Sequence, residues 1–147
     1  MARLAAEQVK QHVPQTDLGH VRAVETLALV LAGGGKRSEA VEVARHALDI
    51  RVATTGTGDV NFAAGLTSLG GLLADLGRYD EAVSVLSGAT STQDKLGALA
   101  APTDRLRTLT FLGHAQLGQG KVADARQSLD AAYAIWEKTR AAGTAET

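Results

Sequence analysis

Cysteine is absent from the 147-residue sequence, which therefore has no disulfide, no thiolate nucleophile and no cysteine-based zinc or iron–sulfur site. Aromatic residues and proline are scarce, with five aromatics and two prolines in the whole chain. Alanine and leucine are abundant instead, with 27 and 19 residues. This composition is rich in helix formers and poor in strand formers, so we expect an all-α protein.

The sequence also lacks an excess of charge and a long apolar run. Its net charge is -1, which gives no field to hold a nucleic acid or an anionic membrane surface. The longest apolar run, 27–32, is too short to cross a membrane. Residues 1–12 include Glu7 and Lys10 and do not resemble a secretory signal. We therefore expect a cytoplasmic protein with no nucleic-acid partner and no membrane insertion.

Three similar segments, 35–40, 77–82 and 120–125, each begin with glycine, and these glycines are 42 and 43 residues apart. Each glycine is preceded at a distance of eight residues by leucine and followed by alanine five and twelve residues later. The repeated residues are Leu27, Leu69 and Leu112; Ala40, Ala82 and Ala125; and Ala47, Ala89 and Ala132. Similarity at a fixed period of this length indicates stacked units that share one core.

The second copy shows the form of one unit. Its first predicted helix has one apolar face, made of Leu66, Leu69, Leu73 and Leu76. Gly77 then ends the helix, because glycine adopts positive φ without a Cβ penalty. The next helix has a second apolar stripe, made of Ala82, Val85, Leu86 and Ala89. Small residues such as Gly70 and Ala82 allow these two helices to approach closely.

This pattern of leucine, small residue, leucine, glycine and two alanines resembles the tetratricopeptide repeat (TPR). The period of about 42 residues is similar to the long variant found in kinesin light chains and in bacterial signalling proteins. The resemblance implies a right-handed superhelical stack of antiparallel helix hairpins, a TPR-like α-solenoid of about seven helices. Two positions depart from the pattern: Gln116 replaces a large apolar residue, and Ala44 is small for its place.

The repeats define the expected organisation of the chain. Helices are predicted at 2–13, 20–33, 37–53, 60–76, 79–95, 103–118 and 121–140. The chain is expected to form a single domain over 1–147, with a half repeat or N-terminal cap and link (2–19), repeat 1 (20–59), repeat 2 (60–102), repeat 3 (103–140) and a flexible tail (141–147).

In proteins of this family the first helices of successive hairpins line a concave groove. The resemblance therefore implies a partner-binding groove formed by Arg22, Glu25, Thr67, Gly71, Asp75, Arg107, Thr110, Phe111 and His114, with Thr26, Leu29 and Ser68 beside them. Arg22, Arg107, Phe111 and His114 are the strongest candidates, because arginine and aromatic side chains dominate binding hot spots.

The last predicted helix offers a second candidate surface. Tyr133, Ile135 and Trp136 lie near the carboxyl end of the stack, where no polar capping helix follows to cover them. A contiguous apolar patch usually marks an interface. We expect this end to form a homodimer or to dock a neighbouring domain.

No motif in the sequence predicts catalysis or a bound cofactor. Segment 27–38 resembles a strand followed by a phosphate-binding loop, but Val30 stands where the first glycine is needed and Arg37 where Ser or Thr is needed. The stripe Glu39, Glu42, His46 and Asp49 could ligate a metal, yet such a stripe is usually the solvated face of a helix. We expect no enzyme, no cofactor and no metal.

Two functions of different classes remain open. The first is a protein-interaction module that binds a peptide or a partner segment in its groove. The second is a regulatory or structural segment of a larger bacterial signalling protein, such as a kinase or a transcriptional regulator, and the half repeat at 2–19 favours it. An enzyme is the third and least favoured interpretation.

Overall fold

The computed structural model describes residues 18–145, which form six α-helices and one short 3₁₀ helix. The helices are α1 (Leu18–Gly33), α2 (Arg37–Thr55), α3 (Val60–Asp75), α4 (Tyr79–Leu96), α5 (Pro102–Gly118) and α6 (Val122–Ala145), with the 3₁₀ helix Gly97–Leu99 between α4 and α5. Each helix packs on the next one along the chain, so the pairs α1–α2, α3–α4 and α5–α6 form three stacked hairpins. The described residues contain no strand, which confirms the all-α prediction.

Six of the predicted helices are present, and their ends agree with the prediction to within two residues at every end except one. The exception is α6, which continues to Ala145 although the sequence predicts an end at 140 and a tail from 141. Ala141 and Ala142 have high helix propensity, which favours continuation of the helix beyond residue 140. The predicted helix 2–13 lies outside the described residues. Between residues 18 and 145, no helix is both long enough and apolar enough to span a membrane.

The glycine turns repeat the same geometry three times. Gly35, Gly77 and Gly120 have φ angles of 81°, 78° and 80°, the left-handed conformation that favours glycine. After each glycine, the next amide donates to a carbonyl five residues earlier, as Arg78 does to Leu73 at 2.9 Å. This is the Schellman arrangement, which satisfies carbonyls at the end of a helix. It also shows that the segment resembling a phosphate-binding loop holds a turn at 34–36 between two helices.

The repeated alanines lie where the two helices of each hairpin meet. All six are buried: Ala40, Ala47, Ala82, Ala89, Ala125 and Ala132. Two glycines on the first helices allow an even closer approach. Leu86 lies directly over Gly70, and Leu129 lies over Gly113, where an added Cβ would be only 2.6 Å from the Leu129 Cγ. The close approach predicted from the small residues is therefore confirmed.

The largest core cluster runs through the middle of the stack. Leu69 and Leu73 of α3 pack there with Leu86 of α4, Val41 of α2 and Leu112 of α5. Because these buried residues come from four consecutive helices, one continuous core joins the three hairpins. Burial of this kind between neighbouring repeats adds to the stability of each repeat in a solenoid.

The polar residue Gln116 has a polar partner across its hairpin. Its Oε1 accepts a hydrogen bond of 2.7 Å from the hydroxyl of Ser128, which is itself buried. In the second hairpin the same two positions hold Leu73 and Val85. The third hairpin has therefore exchanged an apolar pair for a hydrogen-bonded pair, and Gln116 does not remain unsatisfied in the interior.

This exchange predicts the behaviour of three variants. Gln116→Leu leaves the buried Ser128 hydroxyl without its partner, and Ser128→Val leaves the half-buried Gln116 amide without its own, so each single variant should lose about 1–3 kcal/mol of stability at most. The double variant removes both polar groups and restores the apolar pair of the second hairpin. We expect its urea unfolding midpoint to equal or exceed that of the native sequence and to lie above that of either single variant. A double variant less stable than both single variants would contradict the pairing.

Candidate partner-binding groove

The seam between α3 and α5 is closed by direct contacts. The hydroxyl oxygens of Thr67 and Thr108 lie 2.8 Å apart in a hydrogen bond across it. Gln93 of α4 donates from Nε2 to the Thr108 hydroxyl at 3.0 Å, and all three side chains are buried. One helical turn away the Phe111 ring covers Gly71, where an added Cβ would lie 2.9 Å from the ring atom Cε2. These contacts hold α3 and α5 together.

The seam between α1 and α3 has different residues at the same repeat positions, and it stays open. Gly65 of α3 takes the place that Thr108 has in α5. Glu25 of α1 takes the place that Thr67 has in α3, and Ser68 replaces the aromatic ring. Gly65 and Ser68 are too small to reach across, so α1 and α3 make few direct contacts. The result is a groove of about 370 Å³ between the two helices.

The floor of the groove is α2, which is accessible there because of one pair of small residues. In the second hairpin Leu86 fills the space over Gly70. The first hairpin has Ala28 and Ala44 at these two positions. Neither methyl group reaches as far as a leucine side chain, so both residues line the groove instead of filling it. The small residue at 44 therefore has a structural consequence.

Most of the groove surface is apolar. Five alanines, three leucines, two glycines and Phe111 line it, together with Asn61, Ser68 and four charged residues. Alanine and glycine have small side chains, so the backbone of a bound chain can approach the helices of the groove closely. Asn61 and Ser68 supply the uncharged hydrogen-bonding groups of this lining.

Three of the four charged residues of the groove, Glu25, Arg51 and Asp75, form ion pairs. Arg51 donates to the Glu25 Oε1 from Nη2 at 2.6 Å and from Nε at 3.1 Å. The Arg51 side chain is 8% exposed and that of Glu25 is 35% exposed, so this pair is largely shielded from water. Asp75 forms a looser pair with Arg37 at 3.9 Å. These groups leave little net charge on the walls.

Arg107 is different from the other charged residues of the groove. Its guanidinium carbon lies 5.4 Å from the centre of the Phe111 ring, within the range of a cation–π contact. Within residues 18–145, no carboxylate forms an ion pair with it. Its side chain is exposed and lines the groove. The groove thus presents one cation without an anionic partner beside an aromatic ring.

The structure brings five of the nine predicted groove residues into this one concavity: Glu25, Gly71, Asp75, Arg107 and Phe111. Leu29 and Ser68, predicted beside them, line it as well. Their part in binding a partner stays a prediction. The groove also takes Ala44, Leu48 and Arg51 from α2, which the sequence interpretation missed. The signal was present in Ala44, whose small size opens the floor.

The other four predicted groove residues do not line the concavity. Thr67 is buried in the α3–α5 seam, because its hydroxyl pairs with Thr108, and a bound chain cannot reach it. Thr110 is exposed, and its hydroxyl donates to the Leu106 carbonyl. Arg22 and His114 are exposed on parts of α1 and α5 that lie outside the groove. Burial therefore keeps Thr67 from a partner, and a part in binding for Arg22, Thr110 and His114 stays a prediction.

The predicted terminal surface is partly as expected. Tyr133 and Trp136 are exposed and stack on each other with ring centres 5.6 Å apart. The guanidinium of Arg140 lies over the Trp136 ring at 5.1 Å. Ile135 is only partly exposed, since it takes the position that Ile50 has in the core between α1 and α2. The role of this surface as an interface stays a prediction.

The histidine and carboxylate side chains do not form a metal site in the described part of the chain. The rings of His20 and His46 lie 6.3 Å apart, edge to face. No group of three potential metal-ligating side chains converges within residues 18–145. The stripe Glu39, Glu42, His46 and Asp49 therefore brings no additional ligand from a neighbouring helix to one point.

Comparison with known proteins shows which fold this is. No protein-family model and no curated protein matches the sequence. Among solved structures, BtubC (BKLC) from P. vanneervenii is similar, with a TM-score of 0.84 and 19% identity over 95% of this chain. A kinesin light chain-like protein from P. anserina with nearly identical TPR-like repeats has a TM-score of 0.72 and 22% identity over 94% of the chain. The chain has the kinesin-light-chain-like TPR fold.

A point variant of the P. anserina protein is similar to the same degree, with a TM-score of 0.73 and 22% identity over 95% of this chain. The TPR-like array described here spans 55% of the length of BtubC and 68% of each P. anserina chain. The predicted TPR-like solenoid fold is confirmed by these comparisons for residues 18–145.

Proposed function

We propose that this TPR-like array is a protein-interaction module that holds a peptide segment of a partner protein in the α1–α3 groove. The observation that carries the proposal is the open seam. A few substitutions among the repeats leave an apolar concavity between α1 and α3, whereas the α3–α5 seam is filled. Concave, mostly apolar surfaces with a few polar groups are the usual form of binding sites.

The lining favours a segment with a large apolar side chain. Such a side chain fits the space above Ala28 and Ala44, where the neighbouring hairpin places its own leucine. The Glu25–Arg51 pair adds little net charge. An apolar side chain can therefore lie against this pair at a smaller desolvation cost than against an isolated ion. Arg107 offers donors to an oxygen of the bound segment. Burial of one large apolar side chain contributes about 1.5–3 kcal/mol.

A phage-displayed library of random peptides, selected on the immobilised protein, supplies the probe for this proposal. The decisive variant is Ala28→Gly with Ala44→Leu, because it copies the Gly70–Leu86 pair and fills the groove from within. We expect the binding free energy of the selected peptides, measured by fluorescence anisotropy, to weaken by more than about 1 kcal/mol in this variant. Arg107→Ala is expected to weaken the same peptides.

The matched control is Glu39→Ala, which changes α2 outside the groove. Circular dichroism and urea unfolding of each variant show that the hairpins remain folded. Peptides that bind the filled variant as tightly as the native protein contradict the proposed site. Equal loss for Glu39→Ala would place binding elsewhere on the surface, and failure to select any peptide would contradict peptide binding itself.

A further inference from the structure

The last helix exposes a position that is buried in both internal seams. Trp136 stands in α6 where Arg51 stands in α2 and Gln93 stands in α4. Arg51 and Gln93 are 7% and 3% exposed, and Gln93 donates to Thr108 on the first helix of the next hairpin. Trp136 is 43% exposed. The α6 surface is thus one half of an inter-hairpin seam that has no second half in the described chain.

The first helix exposes the complementary half. Val30 stands in α1 where Leu72 and Ala115 stand in α3 and α5. Ala115 is fully buried in the main core and Leu72 packs against that core, whereas Val30 is 65% exposed. Arg22, Ala23 and Thr26, on the same helix, are exposed as well. These exposed positions of α1 are equivalent to the positions through which α3 and α5 pack on the preceding hairpin.

The two exposed halves also match in size. In the first seam Leu48 of α2 lies against Gly65 of α3, where an added Cβ would be 2.7 Å from the Leu48 Cδ2, the end of a flexible side chain that can shift. The matching residues at the two ends are Tyr133 in α6 and Ala23 in α1. A large residue thus again faces a small one, as in the internal seam.

We infer that a second copy of this chain continues the stack, with the α1 surface of one copy packed on the α6 surface of the other. The α1 surface is Arg22, Ala23, Thr26 and Val30, and the α6 surface is Tyr133 and Trp136. The occupant is a second copy because this chain itself carries both halves of the seam, in the register of its internal seams. The contact is heterologous, so further copies add in the same way and the assembly grows with concentration.

Two charged substitutions test this arrangement one surface at a time. Ala23→Arg disables the α1 surface and Trp136→Glu disables the α6 surface, and both positions are exposed, so the hairpins stay folded. The native full-length chain is expected to increase in average mass with concentration in light scattering coupled to size-exclusion chromatography. Each variant alone is expected to stay a monomer. Ser84→Glu, on an exposed part of α4, is the matched control and should associate as the native chain does.

Mixing the two variants gives the sharpest result. Ala23→Arg retains a working α6 surface and Trp136→Glu retains a working α1 surface, so the mixture should form a one-to-one dimer and nothing larger. A native chain that stays monomeric at all concentrations overturns the inference. Association that survives Ala23→Arg also overturns it, since that result points to symmetric pairing of α6 or to coverage of α1 by the predicted helix 2–13.

Discussion

Leu86→Ala is expected to lower the free energy of unfolding by about 2–5 kcal/mol, because it empties a fully buried site at the centre of the stack. Leu86 lies over Gly70 and belongs to the core cluster shared by α2, α3, α4 and α5. The helices are held at this spacing by their other contacts, so the space cannot close completely. Urea unfolding followed by circular dichroism measures the loss.

The partner substitution Gly70→Ala tests whether the pair acts as a unit. Its new methyl group would collide with the Leu86 side chain, so we expect a loss of about 1–3 kcal/mol despite the better helix propensity of alanine. The double variant has the alanine pair found at Ala28 and Ala44 in the first hairpin. Its loss should be smaller than the sum of the two single losses by about 0.5–3 kcal/mol.

Gly88→Ala is the matched control for the glycine substitution. An added Cβ at Gly88 would lie 3.7 Å from the Leu66 Cδ1, an ordinary contact, so the change should be neutral or stabilising. Strict additivity of Gly70→Ala and Leu86→Ala would show that the two positions do not share one space. The account of the groove would then fail too, since it uses the same size relation between hairpins.

The helix hairpins were predictable because their signals are local and repeated. Gly77 and its two equivalents end helices through their own backbone conformation, and Leu69 and Leu73 mark a buried face by spacing alone. These features depend on residues within one helical turn of each other. The end of α6 was missed because the small residues from 141 onward were assigned to a flexible tail, although the helix continues through Gly143 to Ala145.

The groove was only partly predictable because it depends on pairs of residues from different hairpins. Arg107 and Phe111 were identified by type and register. The burial of Thr67 requires Thr108, 41 residues later, and the opening of the first seam requires Gly65 in that same role. A single repeat does not show which of these side chains will meet, so the family register assigns Thr67 to a surface that it does not reach.

The Glu25–Arg51 ion pair provides the second large effect on stability. Removal of Glu25 should cost more than removal of Arg51. Removal of the carboxylate by Glu25→Ala leaves Arg51, whose side chain is 8% exposed in the native structure, with neither of its hydrogen bonds to Glu25. We expect a loss of stability of about 1–3 kcal/mol. Arg51→Met instead keeps an apolar stem in the wall of the groove and leaves Glu25 partly hydrated, so its loss should stay below about 1 kcal/mol.

An exposed ion pair in the next seam supplies the control. Arg105 donates to the Asp94 carboxylate at 2.9 Å, with side chains 36% and 58% exposed. Asp94→Ala should change stability by about 1 kcal/mol at most, and high salt should remove most of that difference. The effect of Glu25→Ala should persist in high salt, because its partner is shielded from solvent.

The double variant Glu25→Ala with Arg51→Met completes this test. With both charges of the pair removed, it should be more stable than Glu25→Ala alone, since the unpaired buried cation is gone. Urea unfolding at low and high salt distinguishes the outcomes. If Arg51→Met is as destabilising as Glu25→Ala although it keeps an apolar stem, the two halves of the pair contribute equally, and the expectation that the unpaired cation carries the cost is wrong.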